Sequence, residues 1–287
     1  MDCRDVWILV TLFSLTTGST FQNSCPVMDK VPPSTSSTYF KQMEIHICND
    51  SNDFSSAVAD WIVELIRVTL VSSTRFTIAL SGGNTPKALY ELLAATPRKE
   101  KIEWRKMHIF WGDERDVDFA DPRNNARMAF DSLLNHVDVP REQIHVMRTD
   151  IPPEQSAGEY EKMLKEYFSG AAAGQIGSRS FDLVLLGMGD DGHTLSLFPG
   201  TEVIHEENRW ATSFFLTSQN MYRITLTKTI VNLAGTVAFL STGPAKAHAL
   251  KEVLKGAYHP DLYPSQVIHP VSGELHWFVD QTAASLL

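Results

Sequence analysis

Cysteine is scarce in this 287-residue chain. Cys3, Cys25 and Cys48 are too few for a disulfide framework, and none sits in a zinc-type CxxC pair. No HExxH motif or His/Cys cluster supports a zinc site. No G-x-S-x-G elbow supports a serine hydrolase, and no Gly-Lys-Ser/Thr completes a Walker A loop. Basic residues are the minority charge: 25 Lys+Arg face 34 Asp+Glu, a formal net charge of −9. That balance argues against a general nucleic-acid or anionic-membrane binder. An anionic ligand would therefore need a local site of a few Arg, Lys and backbone N–H groups. Long apolar runs are missing too: Val6 to Leu15 (VWILVTLFSL) is well short of the roughly 20 residues that span a bilayer. What is present, 43% hydrophobic and 21% charged residues, is an ordinary globular balance that excludes wholesale disorder.

The first 42 residues read as a leader and linker. The Val6–Leu15 run suits a signal-peptide core, and Thr17-Gly18-Ser19 offers small residues for cleavage. The preceding MDCRD carries the wrong charge for such a signal. Ser24 to Thr38 (SCPVMDKVPPSTSST) is rich in Pro, Ser and Thr, as linkers are. Met28 or Met43 offers an alternative start. Asn49-Asp50-Ser51 is a glycosylation sequon that only a secreted chain would use. A cytoplasmic protein is the expectation, with the secretory pathway as the alternative if the apolar segment works as a signal.

From Met43 onward the chain alternates strand and helix patterns. Glu44–Cys48, Phe76–Leu80, His108–Trp111, Ile144–Met147, Phe181–Leu186, Ile224–Leu226, Thr236–Leu240 and Trp277–Val279 read as strands. Between them lie helical patterns. Asp53 to Val71 places Val58, Ile62, Leu65, Ile66 and Leu70 on one face, with Ser51 or Asn52 as cap. Pro86–Leu93, Asn125–His136, Gln155–Phe168 and Ala245–Leu254 come after it. This predicts one α/β domain over residues 43–287: a doubly wound, mainly parallel, Rossmann-like sheet with helices on both faces. Such sheets bind ligands beyond the carboxyl ends of their strands.

Three post-strand segments and two cationic residues carry chemistry. Ser81-Gly82-Gly83-Asn84-Thr85-Pro86 opens a helix; its glycines allow close backbone approach, and the helix start offers free N–H groups to a phosphate. A tight capped turn would look the same. Gly112-Asp113-Glu114-Arg115 offers a metal site, an anion contact through Arg115, or a self-paired charge cluster. Gly187-Met188-Gly189-Asp190-Asp191-Gly192 matches G-x-G-x-x-G, but Pro199-Gly200 interrupts the long helix that a dinucleotide site needs, and Glu206-Glu207 end no strand. His193 then stands out, because Asp191 two residues earlier can hold one tautomer of the ring and leave a base near neutrality. Arg223 and Lys246 open further elements and add positive charge.

In this order, LSGGNTPKALYELL, IFWGDERDV, FDLVLLGMGDDGHTLSLFPGT, RITLT, STGPAKAHALKEVL and GELHWFVD resemble the glucosamine-6-phosphate isomerase/6-phosphogluconolactonase superfamily, and its 6-phosphogluconolactonase branch in particular. The resemblance runs from about Met43 to Leu287 and has no counterpart for the leader. It implies a sugar-phosphate-isomerase type of fold and hydrolysis of 6-phospho-D-glucono-1,5-lactone, the second step of the oxidative pentose phosphate pathway. It implies a phosphorylated sugar lactone as partner and no metal or organic cofactor; a monomer is favoured. Carried across by motif, His193 is the implied base with Asp191 beside it. Ser81, Gly82, Gly83, Thr85, Arg115, Arg223 and Lys246 are the implied substrate and phosphate shell, and Asp113 and Glu114 shape the loop or meet the sugar. The deaminating branch continues its DGH loop toward an acid that assists the His; here Ser196-Leu197-Phe198-Pro199 lacks it. Asp190 replaces a usual Pro, Leu195 a small residue, and Asp118-Phe119 two prolines, a change expected to loosen the Arg115 loop.

Overall fold

A computed structural model describes residues 43–49, 51–169 and 179–287. The leader, the linker and Asp50 of the sequon lie outside the described residues. Six strands form one parallel sheet: β1 (Met43–Cys48), β2 (Phe76–Leu80), β3 (Met107–Trp111), β5 (Leu183–Gly187), β8 (Thr236–Ser241) and β9 (Glu274–Asp280), in the order β1-β9-β8-β5-β2-β3. Three more, β4 (Asp113–Arg115), β6 (Ala211–Leu216) and β7 (Met221–Leu226), form a small antiparallel sheet in the order β4-β7-β6. The doubly wound expectation holds for the large sheet, whose central strands are apolar because both of their faces are covered.

One face buries α1 (Ser51–Ser72) and α2 (Asn84–Leu93) through Phe54, Val58, Ile62, Ile66, Leu89 and Leu93. The other buries α5 (Pro153–Tyr167) and α7 (Ala247–Lys255), with α6 (Lys228–Val231) beside them. Each fully buried large side chain contributes roughly 1.5–3 kcal/mol. Phe239 stacks flat on Trp277 at 3.8 Å between β8 and β9.

Several local expectations are corrected. Ser51 and Asn52 lie inside α1 rather than capping it. Ile144–Met147 is no strand: only Ile144 bridges, to Ile109. Asn125–His136 splits into α4 (Asn125–Ala129) and a π-helical turn, Phe130–Leu134. The Arg223 strand leaves the main sheet, and β4 and β6 appear where loop was expected. The short α3 (Arg98–Lys101) completes the described α-helices. Among the described residues, no helix is long and apolar enough to cross a membrane.

The strand order reverses between β2 and β5, so the crevice that doubly wound sheets use for ligands lies beyond their carboxyl ends. The loops that leave there start at Ser81 and Met188.

Candidate active site

A cavity of about 240 Å³ sits in this crevice. Its wall includes Ser81, Gly82, Asp113, Arg115, His193, Arg223 and Lys246, seven of the residues singled out in the sequence. Gly83, Thr85, Glu114 and Asp191 are not among the residues that line it.

The floor is the β2–α2 turn. Tyr90, fully buried on α2, donates from its hydroxyl to Ser81 O and accepts from Ser81 N, both at 2.9 Å. Gly83 (φ 104°) precedes the first turn of α2, which has no side-chain cap bond, so its leading N–H groups stay free for an anion. The Thr85 hydroxyl is 3.0 Å from that of Thr242, while its backbone N–H belongs to the open first turn of α2.

The cationic wall is built by the small sheet, whose register sets Arg115 on β4 against Arg223 on β7. Asp113 Oδ2 accepts from Arg223 Nη2 and from the Ser196 hydroxyl, both at 2.6 Å, while Gln219 accepts from Arg223 Nη1 at 3.0 Å. Burial pushes the Asp113 carboxyl up, but Arg223, Arg115 and Ser196 outweigh it and hold the group below the usual carboxylate range. Asp113 is therefore the anchor of Arg223. Arg115 donates from Nη1 to Asn125 Oδ1 and Arg123 O, both at 2.9 Å. Lys246, just before α7, has no ion pair among the described residues.

Glu114 points away from the cavity. It accepts from the backbone N–H groups of Arg115, Asn125 and Ala126 at 2.7–2.8 Å, two of them at the start of α4. These bonds suit the loop-shaping role named in the sequence. Burial pushes its carboxyl up to about 7 against the pull of those N–H groups. The Asp118-Phe119 departure is braced in other ways: Asp118 Oδ1 accepts from Ala120 N at 2.7 Å, and Phe119 packs edge-on to Phe130.

His193 hangs from the β5 loop. Asp191 Oδ1 accepts from its Nδ1 at 2.6 Å and from its backbone N at 3.0 Å. Burial raises the Asp191 carboxyl, and these hydrogen bonds more than reverse it, so the group stays below its ordinary value. An ionised Asp191 keeps the ring proton on Nδ1 and leaves Nε2 as the basic nitrogen. Phe198 stacks on the ring with centroids 4.1 Å apart. Gly189 has to be glycine, since a Cβ there would lie 2.1 Å from His193 Nδ1 and 2.3 Å from Asp191 Oδ1. No helix comes after the loop before Glu202, so the G-x-G-x-x-G match lacks the helix a dinucleotide site needs.

The sequence reading missed Asn125, Gln219, Ser196 and Phe198. Asn125 is the hinge of the wall: besides holding Arg115, it donates from Nδ2 to Asp113 O at 2.9 Å and packs against Gly82, where a Cβ would sit 1.9 Å from its Oδ1. Its only local signal was its place at a helix start.

Fold and cavity together define an α/β protein with a crevice lined by Arg115, Arg223 and Lys246 and by the carboxylate-held imidazole of His193. The family model for glucosamine-6-phosphate isomerases/6-phosphogluconolactonase matches residues 49–277, and the chain belongs to that family. A 6-phosphogluconolactonase of Synechocystis sp. is 45% identical over 212 residues, covering 74% of this chain and 84% of the relative. One of Nostoc sp. is 40% identical over 244 residues, covering 85% and 98%. The solved 6-phosphogluconolactonase from Trypanosoma cruzi superposes with a TM-score of 0.75 at 28% identity, covering 86% of this chain and 97% of that one.

Proposed function

We propose that this chain hydrolyses 6-phospho-D-glucono-1,5-lactone to 6-phospho-D-gluconate, in the oxidative pentose phosphate pathway, with His193 as general base. The observation that carries the reading is the imidazole fixed by Asp191 at 2.6 Å on the wall of a cavity that also holds Arg115, Arg223 and Lys246. The open start of α2, Arg115 and Lys246 take the phosphate, and the lactone carbonyl lies toward His193.

Nε2 accepts a proton from water as the water oxygen attacks the carbonyl carbon. The tetrahedral adduct collapses, the bond from that carbon to the ring oxygen breaks, and Nε2 returns the proton to that oxygen. Water is added across one ester bond and His193 is regenerated. Asp191 stabilises the imidazolium while it exists. A δ-lactone is an activated ester, so general-base action worth about 10²–10⁴-fold is a sufficient catalytic contribution. A monomer is the assembly in this reading. Residues 43–287 form the catalytic domain in this reading. A phosphorylated substrate that does not cross membranes unaided supports the cytoplasm as its compartment in this reading.

A lactone-hydrolysis assay corrected for spontaneous ring opening tests the proposal. His193→Ala is expected to lower kcat by about 10²–10⁴-fold with 6-phosphogluconate affinity retained; near-normal turnover rejects the assignment. Ammonia released from glucosamine 6-phosphate would instead mark a deaminase. Binding of 6-phosphogluconate with hydrolysis at the background rate would mark a sensor.

A further inference from the structure

A second cluster of functional side chains lies at the far edge of the large sheet. Glu44 and His46 alternate along edge strand β1 and so point to one face, and the register sets His276 of β9 opposite Glu44. His46 Nε2 is 3.1 Å from His276 Nδ1, and Glu44 Oε2 lies 3.7 Å and 3.6 Å from those two nitrogens. A point equidistant from three atoms so spaced is about 2.0 Å from each, the bond length that first-row divalent ions make to imidazole and carboxylate ligands. His276 Nε2 lies 3.3 Å from Glu274 Oε2. That is the carboxylate–histidine pairing that directs the other ring nitrogen at a metal. The rings are held on the protein side: His46 stacks on Phe278 at 4.3 Å, and Trp61 of α1 packs on His276 at 5.0 Å. His276 is buried, whereas Glu44 and His46 keep about a fifth of their side-chain surface in water, so an ion can enter and retain a water ligand.

We propose that Glu44, His46 and His276 form a binding site for a borderline first-row divalent cation of the zinc class. Two imidazoles and one carboxylate favour such ions over magnesium or calcium, which take all-oxygen shells. The site is distinct from the cavity at the β2–β5 crevice. Its ligands come from the first and last strands, 230 residues apart between the two histidines, so no local spacing motif announces it. An ion there joins β1 to β9 through side chains as well as through backbone pairing.

The test uses the full chain stripped with chelator and titrated with Zn²⁺ by calorimetry, and with Co²⁺ by visible absorption. One equivalent is expected to bind, with the spectrum of imidazole and carboxylate ligation. Amides of residues 43–48 are expected to exchange more slowly in the zinc form. Glu44→Gln and His46→Phe, the latter keeping the stack on Phe278, are expected to abolish that equivalent. Glu274→Gln, at an exposed position, is expected to weaken it by about 10–100-fold, which keeps the test decisive if either ligand variant folds poorly. No saturable uptake by the wild type overturns the proposal. So does uptake unchanged in the variants, which would put the ion elsewhere, for example at His205 and Asp261.

Discussion

At the scale of the residue, similar side chains in the site have dissimilar duties. Arg223 and Lys246 both bring positive charge to the cavity, yet Arg223 is 3% exposed and ion-paired to a buried Asp113, while Lys246 has no ion pair among the described residues. Lys246→Ala is therefore expected to raise KM with the fold intact. Arg223→Ala strands Asp113 and is expected to cost about 3–5 kcal/mol of stability as well; urea unfolding of the two variants separates these effects. Glu114 gives a pH signature. Its folded pKa of about 7 lies above the value of 4.5 for a free Glu, so between those limits the folded state binds more protons than the unfolded. Its contribution is then most favourable at acid pH and falls as pH rises to 7. The stability of wild type minus that of Glu114→Gln is expected to be larger at pH 5 than at pH 8; a flat difference in paired thermal melts would contradict this. His193, Asp191, Arg115 and Lys246 were legible as residue types in segments that follow strands, and Arg223 as the residue that opens one. Asn125 and Gln219 were not, because their importance lies in what they hold.

At the scale of the element, the central strands of the large sheet, β2, β5 and β8, stood out as short apolar runs, since burial on both faces leaves no alternation to confuse with a helix. The small sheet did not. β4 is a three-residue strand, Asp113-Glu114-Arg115, whose charges read as loop. It pairs with β7 because Gly112 passes the chain from Leu80 O to Leu226 N through its own N–H and carbonyl, at 2.9 and 2.8 Å. Between α2 and α4 the contact is tight enough to predict from. Gly82→Ala would force Asn125 aside and with it the Arg115 guanidinium. The expected outcome in steady-state kinetics is a raised KM with kcat within a fewfold of wild type, because His193 hangs from a different loop. The Gly-rich β5 loop shows how a short pattern can mislead. Its spacing fits a dinucleotide fingerprint, but the chain from Thr194 to Gly200 runs through turns where that fingerprint requires a long helix.

At the scale of the whole molecule, stability rests on two apolar layers that sandwich the parallel sheet. Trp277, 1% exposed at the β8–β9 stack, is the natural probe. Trp277→Ala is expected to cost about 3–5 kcal/mol, as large core truncations do, read as a lower urea midpoint with the slope unchanged. The order of elements, the α/β class and the position of chemistry after β2, β3 and β5 were all readable along the chain, because hydrophobic period and turn chemistry are local properties. The winding that brings those strand ends to one crevice was decided by the folded sheet. So were the partners of individual groups: the Thr85 hydroxyl meets Thr242, and the Glu114 carboxylate accepts from backbone amides. A local pattern carries which groups are present; only packing sets which of them remain free, since a hydrogen bond to a residue a hundred positions away leaves no periodic trace.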